Sequence, residues 1–221
     1  VVGPGRGPAM ADVIEESFAG TRFMLGGVEF MVPMPGRHNV DNAVRAIELC
    51  SLLGHQARDV APPLAAFRGI ERRLQVAGSC NGAVVIDDFA HNPAKIRASW
   101  ETVAAHFRRV IGVWRPHGFR PLEFMREELV GTIAGVCRPG DEFCVLPVFY
   151  AGGTVERRVS SESFAARLRE HGVPASASAG MDACRDYVAK RAGPGDAVLI
   201  MGARDPGLPQ LARDLAGRKN R

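Results

Sequence analysis

From residue 74 onward, short β-favouring apolar runs alternate with longer stretches of helical periodicity, and nothing else in the chain restricts its fold as much. The pattern predicts strands over about 74–78, 83–88, 110–114, 142–148, 175–179 and 197–201. It predicts helices near 93–107, 121–136, 161–170, 181–191 and 209–215. Strands joined by crossover helices of this length require a largely parallel sheet with right-handed connections. The expectation is therefore an α/β fold: a Rossmann-like, mostly parallel six-stranded sheet with flanking helices. Residues 74–78 also fit an antiparallel hairpin with 83–86 across 79–82, which makes one antiparallel edge strand.

The first third reads differently. Runs 21–25 and 28–32, joined by Gly26-Gly27, signal a hairpin, whereas the sequence before Thr21 gives no clear pattern. Apolar residues at Val40, Ala43, Val44, Ile47 and Leu53 recur at helical spacing, with Gly54 suited to close the helix. A second helix is predicted over 57–67, with Pro62 and Pro63 near its first turn or delaying it. The change of pattern between Gly69 and Arg73 divides the chain into residues 1–70, the remnant of a second α/β domain, and 71–221.

Composition narrows the classes of partner. With 46% hydrophobic and 24% charged residues the chain is globular, and its net charge of +4 suits an anionic ligand but is too small to argue for nucleic acid. Part of that excess lies in Arg218-Lys219-Asn220-Arg221, which reads as a solvated tail. The five cysteines are odd in number and include no CxxC pair, so a reduced, cytoplasmic setting is expected. No apolar run is long enough to span a bilayer, and no membrane partner is expected. The Gly/Pro-rich opening, Val1 to Pro8, reads as a cut edge.

The chemistry gathers at strand ends. In Val84-Val85-Ile86-Asp87-Asp88-Phe89-Ala90-His91-Asn92-Pro93 an apolar run stops on two carboxylates, and Asn92 and Pro93 then fit the N-cap and first position of a helix. Asp87, Asp88 and His91 thus fall at the carboxyl end of a strand beside a helix N-terminus, where open α/β sheets bind ligands. A turn that merely happens to end in Asp-Asp is the alternative. Three more polar clusters, 114–120, 150–153 and 201–207, follow later strands, and four loops on one rim form a crevice. His117 reads either as an ordinary surface histidine or, beside Arg115 and Arg120, as part of an anion site. Arg72-Arg73 reads either as a solvated pair or as guanidinium groups able to bridge phosphate oxygens. No GxxxxGK[ST], HExxH or GxSxG pattern occurs, and Gly3-Pro4-Gly5-Arg6-Gly7 lacks the Lys-Ser/Thr end of a phosphate loop. No metal ligands are expected.

Three motifs then carry a resemblance: Gly36-Arg37-His38-Asn39-Val40-Asp41-Asn42-Ala43, Phe67-Arg68-Gly69-Ile70-Glu71-Arg72-Arg73-Leu74, and Asp87-Asp88-Phe89-Ala90-His91-Asn92-Pro93. In order and spacing they resemble the end of the central domain and the start of the C-terminal domain of the Mur ligases. Within that family the Arg-Arg pair, the doubled Asp, the Pro116-His117 loop and the Tyr150-Ala151-Gly152 loop are most similar to the UDP-N-acetylmuramate–L-alanine and murein-peptide branches.

The resemblance implies an ATP- and Mg2+-dependent amide ligase joining an amino acid or peptide to a UDP-N-acetylmuramate-type carboxylate through an acyl phosphate. It also implies a fragment of a longer enzyme, inactive alone. By the same resemblance, His38, Asn39 and Asn42 lie against adenine, with His91 and Asn92 lining the nucleotide side. Arg73 reaches the γ-phosphate, Asp88 contacts the ribose or orients the hinge arginine, and His117 and Arg120 face the acceptor. The alanine ligases usually carry Pro-His-Arg-Tyr-Thr/Ser-Arg where this chain has Pro116-His117-Gly118-Phe119-Arg120-Pro121, which leaves the acceptor open. A folylpolyglutamate- or cyanophycin-type ligase and a non-catalytic nucleotide-binding module are the alternatives.

Overall fold

The computed structural model describes residues 10–150, 152 and 158–217. The glycine-rich opening, Ala151 and Gly153 of the predicted third loop, and the basic tail lie outside the described residues. The chain divides into two compact units between Ile70 and Glu71.

In the first unit β1 (Asp12–Ser17), β2 (Gly20–Leu25) and β3 (Val28–Val32) form an antiparallel sheet in that order. The Gly26-Gly27 hairpin pairs Leu25 with Val28. Phe23 and Phe30 stack at 5.5 Å, and Val40, Ala43, Val44 and Ile47 of α1 (Arg37–Leu52) bury against them. Gly54, at φ 91, closes α1: its N–H donates to the Ser51 carbonyl and the His55 N–H to that of Cys50, which is a Schellman end. In α2 (Ala57–Ala65) both prolines sit beyond the first turn, and their missing N–H groups remove the i+4 donors to the carbonyls of Arg58 and Asp59.

In the second unit six strands run in the order β4-β5-β9-β6-β7-β8. They are β4 (Gln75–Cys80), β5 (Ala83–Asp88), β6 (Arg109–Trp114), β7 (Glu142–Val145), β8 (Ala175–Ala177) and β9 (Asp196–Met201). All neighbours pair in parallel except β4, which joins β5 through a two-residue Asn81-Gly82 loop with φ 52 and 87, a type I′ turn. One face carries α3 (Pro93–Ala104), α4 (Phe119–Val136) and α5 (Ser161–Glu170), with Trp100, Trp114, Phe143 and Phe164 packed ring on ring. A Cβ on Gly112 would overlap the Trp100 ring, so this central strand has a residue without a side chain there. The other face buries Val85, Val113, Val198 and Ile200 under Cys184, Val188, Leu208 and Leu211 of α6 (Met181–Ala189) and α7 (Gly207–Ala216).

Strand order decides where a ligand fits. β9 lies between β5 and β6 but is followed by α7 on one face, while its neighbours are followed by α3 and α4 on the other. Loops that part in this way open a crevice at the carboxyl ends of the strands. No helix among the described residues is long and apolar enough to cross a membrane.

Candidate functional site

β5 ends on Asp87 and Asp88, both buried, and α3 begins five residues later with Asn92 as N-cap, its side chain accepting the Lys95 N–H at 3.0 Å. The Asp88 carboxylate is fully engaged within the unit. One oxygen accepts the Ala90 N–H at 2.8 Å and the Ser99 hydroxyl at 2.9 Å; the other accepts the Leu74 N–H at 2.8 Å. Asp88 therefore holds the backbone next to Arg73, and both of its oxygens are occupied.

Arg72 pairs with the neighbouring carboxylate. Its Nε lies 3.3 Å from both oxygens of Asp87, its Nη groups donate to the Gly202 carbonyl at 2.6 Å and the Ala203 carbonyl at 3.4 Å, and its guanidinium lies 5.1 Å from the centre of the Phe89 ring. Burial raises the Asp87 pKa above the usual carboxylate range, with Arg72 opposing it. Arg72 and Leu74 both adopt left-handed backbone, φ 58 and 47, which costs non-glycine residues about 1–2 kcal/mol each. Leu74 is held there by Asp88, and Arg72 by the Phe89 N–H on its carbonyl at 2.8 Å and by its own N–H on the Gln75 side chain at 3.0 Å. Between these pinned residues Arg73 is exposed and has no hydrogen bond or ion pair among the described residues. Strain held by surrounding bonds marks functional segments.

The other rim loops are tied to this corner. Arg115, just past β6, pairs with Asp205 at 2.5 Å, donates to the Pro147 carbonyl at 3.1 Å and lies over the Phe149 ring. The Phe149 N–H donates to the Pro116 carbonyl and the Gly118 N–H to that of Phe149, so His117 is held beside the β7 loop. Burial lowers the His117 pKa, and the charges of Arg204 and His91 lower it further. A backbone hydrogen bond with Phe149 opposes that lowering, and Tyr150 Oη is buried without a hydrogen-bond partner among the described residues. His91 places Nδ1 2.9 Å from the Phe89 carbonyl, and Arg120 is exposed in the first turn of α4. Arg73, Asp88, His91, Asn92, His117 and Arg120 thus all belong to the carboxyl-end rim of the second unit.

Separate from this rim, the first unit contains an open cavity of about 570 Å³ with apolar walls from Val32, Met34, Ala43, Val60, Leu64 and Phe67. Asn39, Asn42, His55 and Asp59 add polar groups; Asn39 is buried and donates to the Pro35 carbonyl at 2.7 Å. The volume falls within the range of small-molecule sites. His38 lies exposed on α1, outside the cavity wall.

Sequence reasoning named Arg72 and Asp87 only as members of their doubled pairs, without a role of their own, and gave Arg204 no role. The doubled Arg and doubled Asp were visible, but which member of each pair turns inward depends on φ at Arg72 and Leu74. Arg204 had only its place in a loop at a strand end.

Together these features define a class: an α/β domain whose carboxyl-end rim presents cations and two carboxylates at a topological switch. The profile of the family described as Mur ligase, glutamate ligase domain, matches residues 72–204, and the chain belongs to the Mur ligase family. The UDP-N-acetylmuramate–L-alanine ligase of Rhizobium meliloti is 32% identical over 198 residues, covering 86% of this chain and 41% of the relative. That of Desulfitobacterium hafniense is 32% identical over 180 residues, covering 80% and 39%. The solved UDP-N-acetylmuramate-alanine ligase of Thermotoga maritima shares the fold with a TM-score of 0.74 at 23% identity, over 96% of this chain and 45% of that one. Mycobacterium tuberculosis folylpolyglutamate synthase does so at 0.66 and 23%, over 95% and 48%. The chain spans about two fifths of the length of the curated relatives it matches.

Proposed function

We propose that residues 1–70 are the closing part of a Mur ligase central, ATP-binding domain and residues 71–221 its C-terminal domain, within a longer cytoplasmic ATP-dependent ligase. That enzyme joins an amino acid or peptide to a UDP-N-acetylmuramate-type carboxylate. The carboxylate attacks the γ-phosphorus of ATP and releases ADP; the acceptor amine then attacks the acyl phosphate and displaces phosphate. The observation that carries this reading is the strained Arg72-Arg73-Leu74 segment, braced by Asp87, Asp88 and Gly202, which leaves the Arg73 guanidinium available for a phosphate.

The apolar cavity beside Asn39 and Asn42 fits a nucleobase, with His38 at its approach. His91 and Asn92 line the nucleotide side of the C-terminal domain, Asp88 acts by holding the hinge backbone, and His117 and Arg120 face the acceptor. Among the described residues no three His, Cys, Asp or Glu side chains converge to hold a metal. With no GxxxxGK[ST] sequence, the 221 residues alone are expected to be inactive.

Phosphate release by the longer protein, measured with ATP, UDP-N-acetylmuramate and a panel of amino acids and peptides, tests the reading. Acceptor-dependent release is expected, and none with any acceptor refutes it. The panel includes L-glutamate because Gly118 departs from the alanine-ligase loop, which favours a second reading with a different acceptor.

A further inference from the structure

Two thiols meet in the core of the second unit. Cys144 sits in β7 and Cys184 in α6, forty positions later; both are fully buried, and their sulfurs lie 3.8 Å apart. A disulfide bond needs them to close to about 2.05 Å. The helix that carries Cys184 allows that approach. Its nine residues begin at Gly180 without a side-chain cap, and only Cys184 and Val188 of them are buried. Its other ties run through the ends of long side chains, Arg185 to Asp214 and Tyr187 to Glu142. A short, uncapped helix with so little buried surface also opens locally, which admits a water-sized oxidant.

The two thiols are not equivalent. Hydrogen bonding with the Cys184 thiol lowers the Cys144 pKa, burial opposes it, and the charge of Arg191 lowers it further. The Cys184 pKa is raised, by its bond to Cys144 and by burial. Cys144 is therefore the member that ionises, with Cys184 as a protonated partner in contact with it. Cys137, by contrast, is pushed up to about 12 by burial. A thiolate beside a second thiol is the arrangement in which an oxidised sulfur is resolved to a disulfide before it is oxidised further.

We propose that Cys144 and Cys184 are a peroxide-responsive dithiol whose oxidation locks α6 to β7. The Cys144 sulfur attacks one oxygen of hydrogen peroxide, the O–O bond breaks, and the hydroxide that leaves becomes water with the proton lost from Cys144. The Cys184 sulfur then attacks the sulfenic sulfur, forming the S–S bond, and the displaced hydroxide takes the Cys184 proton. In all, two thiols lose two electrons and one peroxide becomes two waters. In a reducing compartment the pair rests as thiols, and a thiol reductant reopens the bond. Closing a loop of this length constrains the unfolded chain and so stabilises the folded unit. β7 leads into the segment whose Pro147 and Phe149 carbonyls hold Arg115 and the Gly118 N–H, so the lock fixes the strand behind the carboxyl-end rim. None of these steps draws on the ligase reaction.

The test treats the folded 221-residue chain with hydrogen peroxide, alkylates it under denaturing conditions, digests it without reduction and maps the peptides by mass spectrometry, with Tm read in parallel. The expected result is a peptide pair joined through Cys144 and Cys184, lighter by two hydrogens than its thiol forms, and a Tm raised by at least about 5 °C. Dithiothreitol reverses both. Cys184→Ala removes the link and the rise and leaves a Cys144 sulfenic acid that dimedone captures, whereas Cys137→Ala leaves both intact. Recovery of Cys144 and Cys184 as alkylated thiols from the treated, unsubstituted chain overturns the proposal, as does a link to any other cysteine or between two chains. A Cys144–Cys184 link that leaves Tm unchanged overturns the lock.

Discussion

The two rims of the second unit's sheet use charge in opposite ways. At the amino ends of the strands the carboxylates are saturated. Asp196, fully buried, accepts Arg108 at 2.8 Å, Arg109 at 2.6 Å and the Gly193 N–H at 3.1 Å. Asp141 takes the N–H groups of Val110 and Arg138 and the Arg138 guanidinium. Glu142 takes Tyr187, Arg191 and Arg109. At the carboxyl ends Asp87, Asp88 and Asp205 are equally engaged, but Arg73, Arg120 and Arg204 have no partner there among the described residues. One rim closes the fold, and the other keeps cations for something that arrives. Composition cannot reveal this, because both rims are rich in Arg and Asp.

Substitutions at the two rims should therefore separate stability from function. The largest effect is expected for Asp196→Ala, which leaves Arg109 short of its buried partner and lowers unfolding free energy by about 3 kcal/mol. Urea denaturation reads this, and a loss under about 1 kcal/mol would erase the distinction between the rims. Arg73→Ala should do the reverse. Stability stays within about 0.5 kcal/mol while turnover of the longer enzyme falls by about a hundredfold. If turnover is unchanged, Arg73 has no place at the phosphate. Arg72→Ala sharpens the contrast between two adjacent arginines. It leaves Asp87 buried without its cation and removes the bonds to the Gly202 and Ala203 carbonyls, for a loss of about 2 kcal/mol in the same denaturation measurement, with Arg72→Lys recovering only part.

The smallest effect belongs to His117. Its folded pKa lies below the ordinary imidazole value, so the unfolded chain takes up the proton first as pH falls. The stability this group supports is complete above about pH 6.5 and is lost as pH drops through the lowered folded value. His117→Gln should flatten that part of the stability curve, a difference held under about 1 kcal/mol by the partial exposure of the ring. Equal pH dependence in both proteins would place the titration elsewhere.

Much of this architecture was legible because it is local. β5 and α5 match their expected bounds, Asn92 and Pro93 begin α3 as expected, and the antiparallel edge strand follows from the turn at Asn81-Gly82. β1 was not legible: all six of its residues are exposed, so no alternation marks it, and only pairing with β2 makes it a strand. The three residues of β8 carry too little signal to fix an end predicted at Ala179. For the site, the strand-end loops could be read, but the division of labour between Arg72 and Arg73, and between Asp87 and Asp88, could not.

By itself the sequence determined the alternation of strand and helix, the caps that start the helices, and hence a parallel sheet with polar residues at its carboxyl ends; all of these follow from periodicity and short-range backbone preferences. Only the tertiary structure decided that β9 inserts between β5 and β6. That placement carries Gly202, Ala203 and Asp205 to Arg72 and Arg115, partners far away in the chain. Strand order depends on non-local pairing, and no local pattern encodes which distant loop will meet a given arginine.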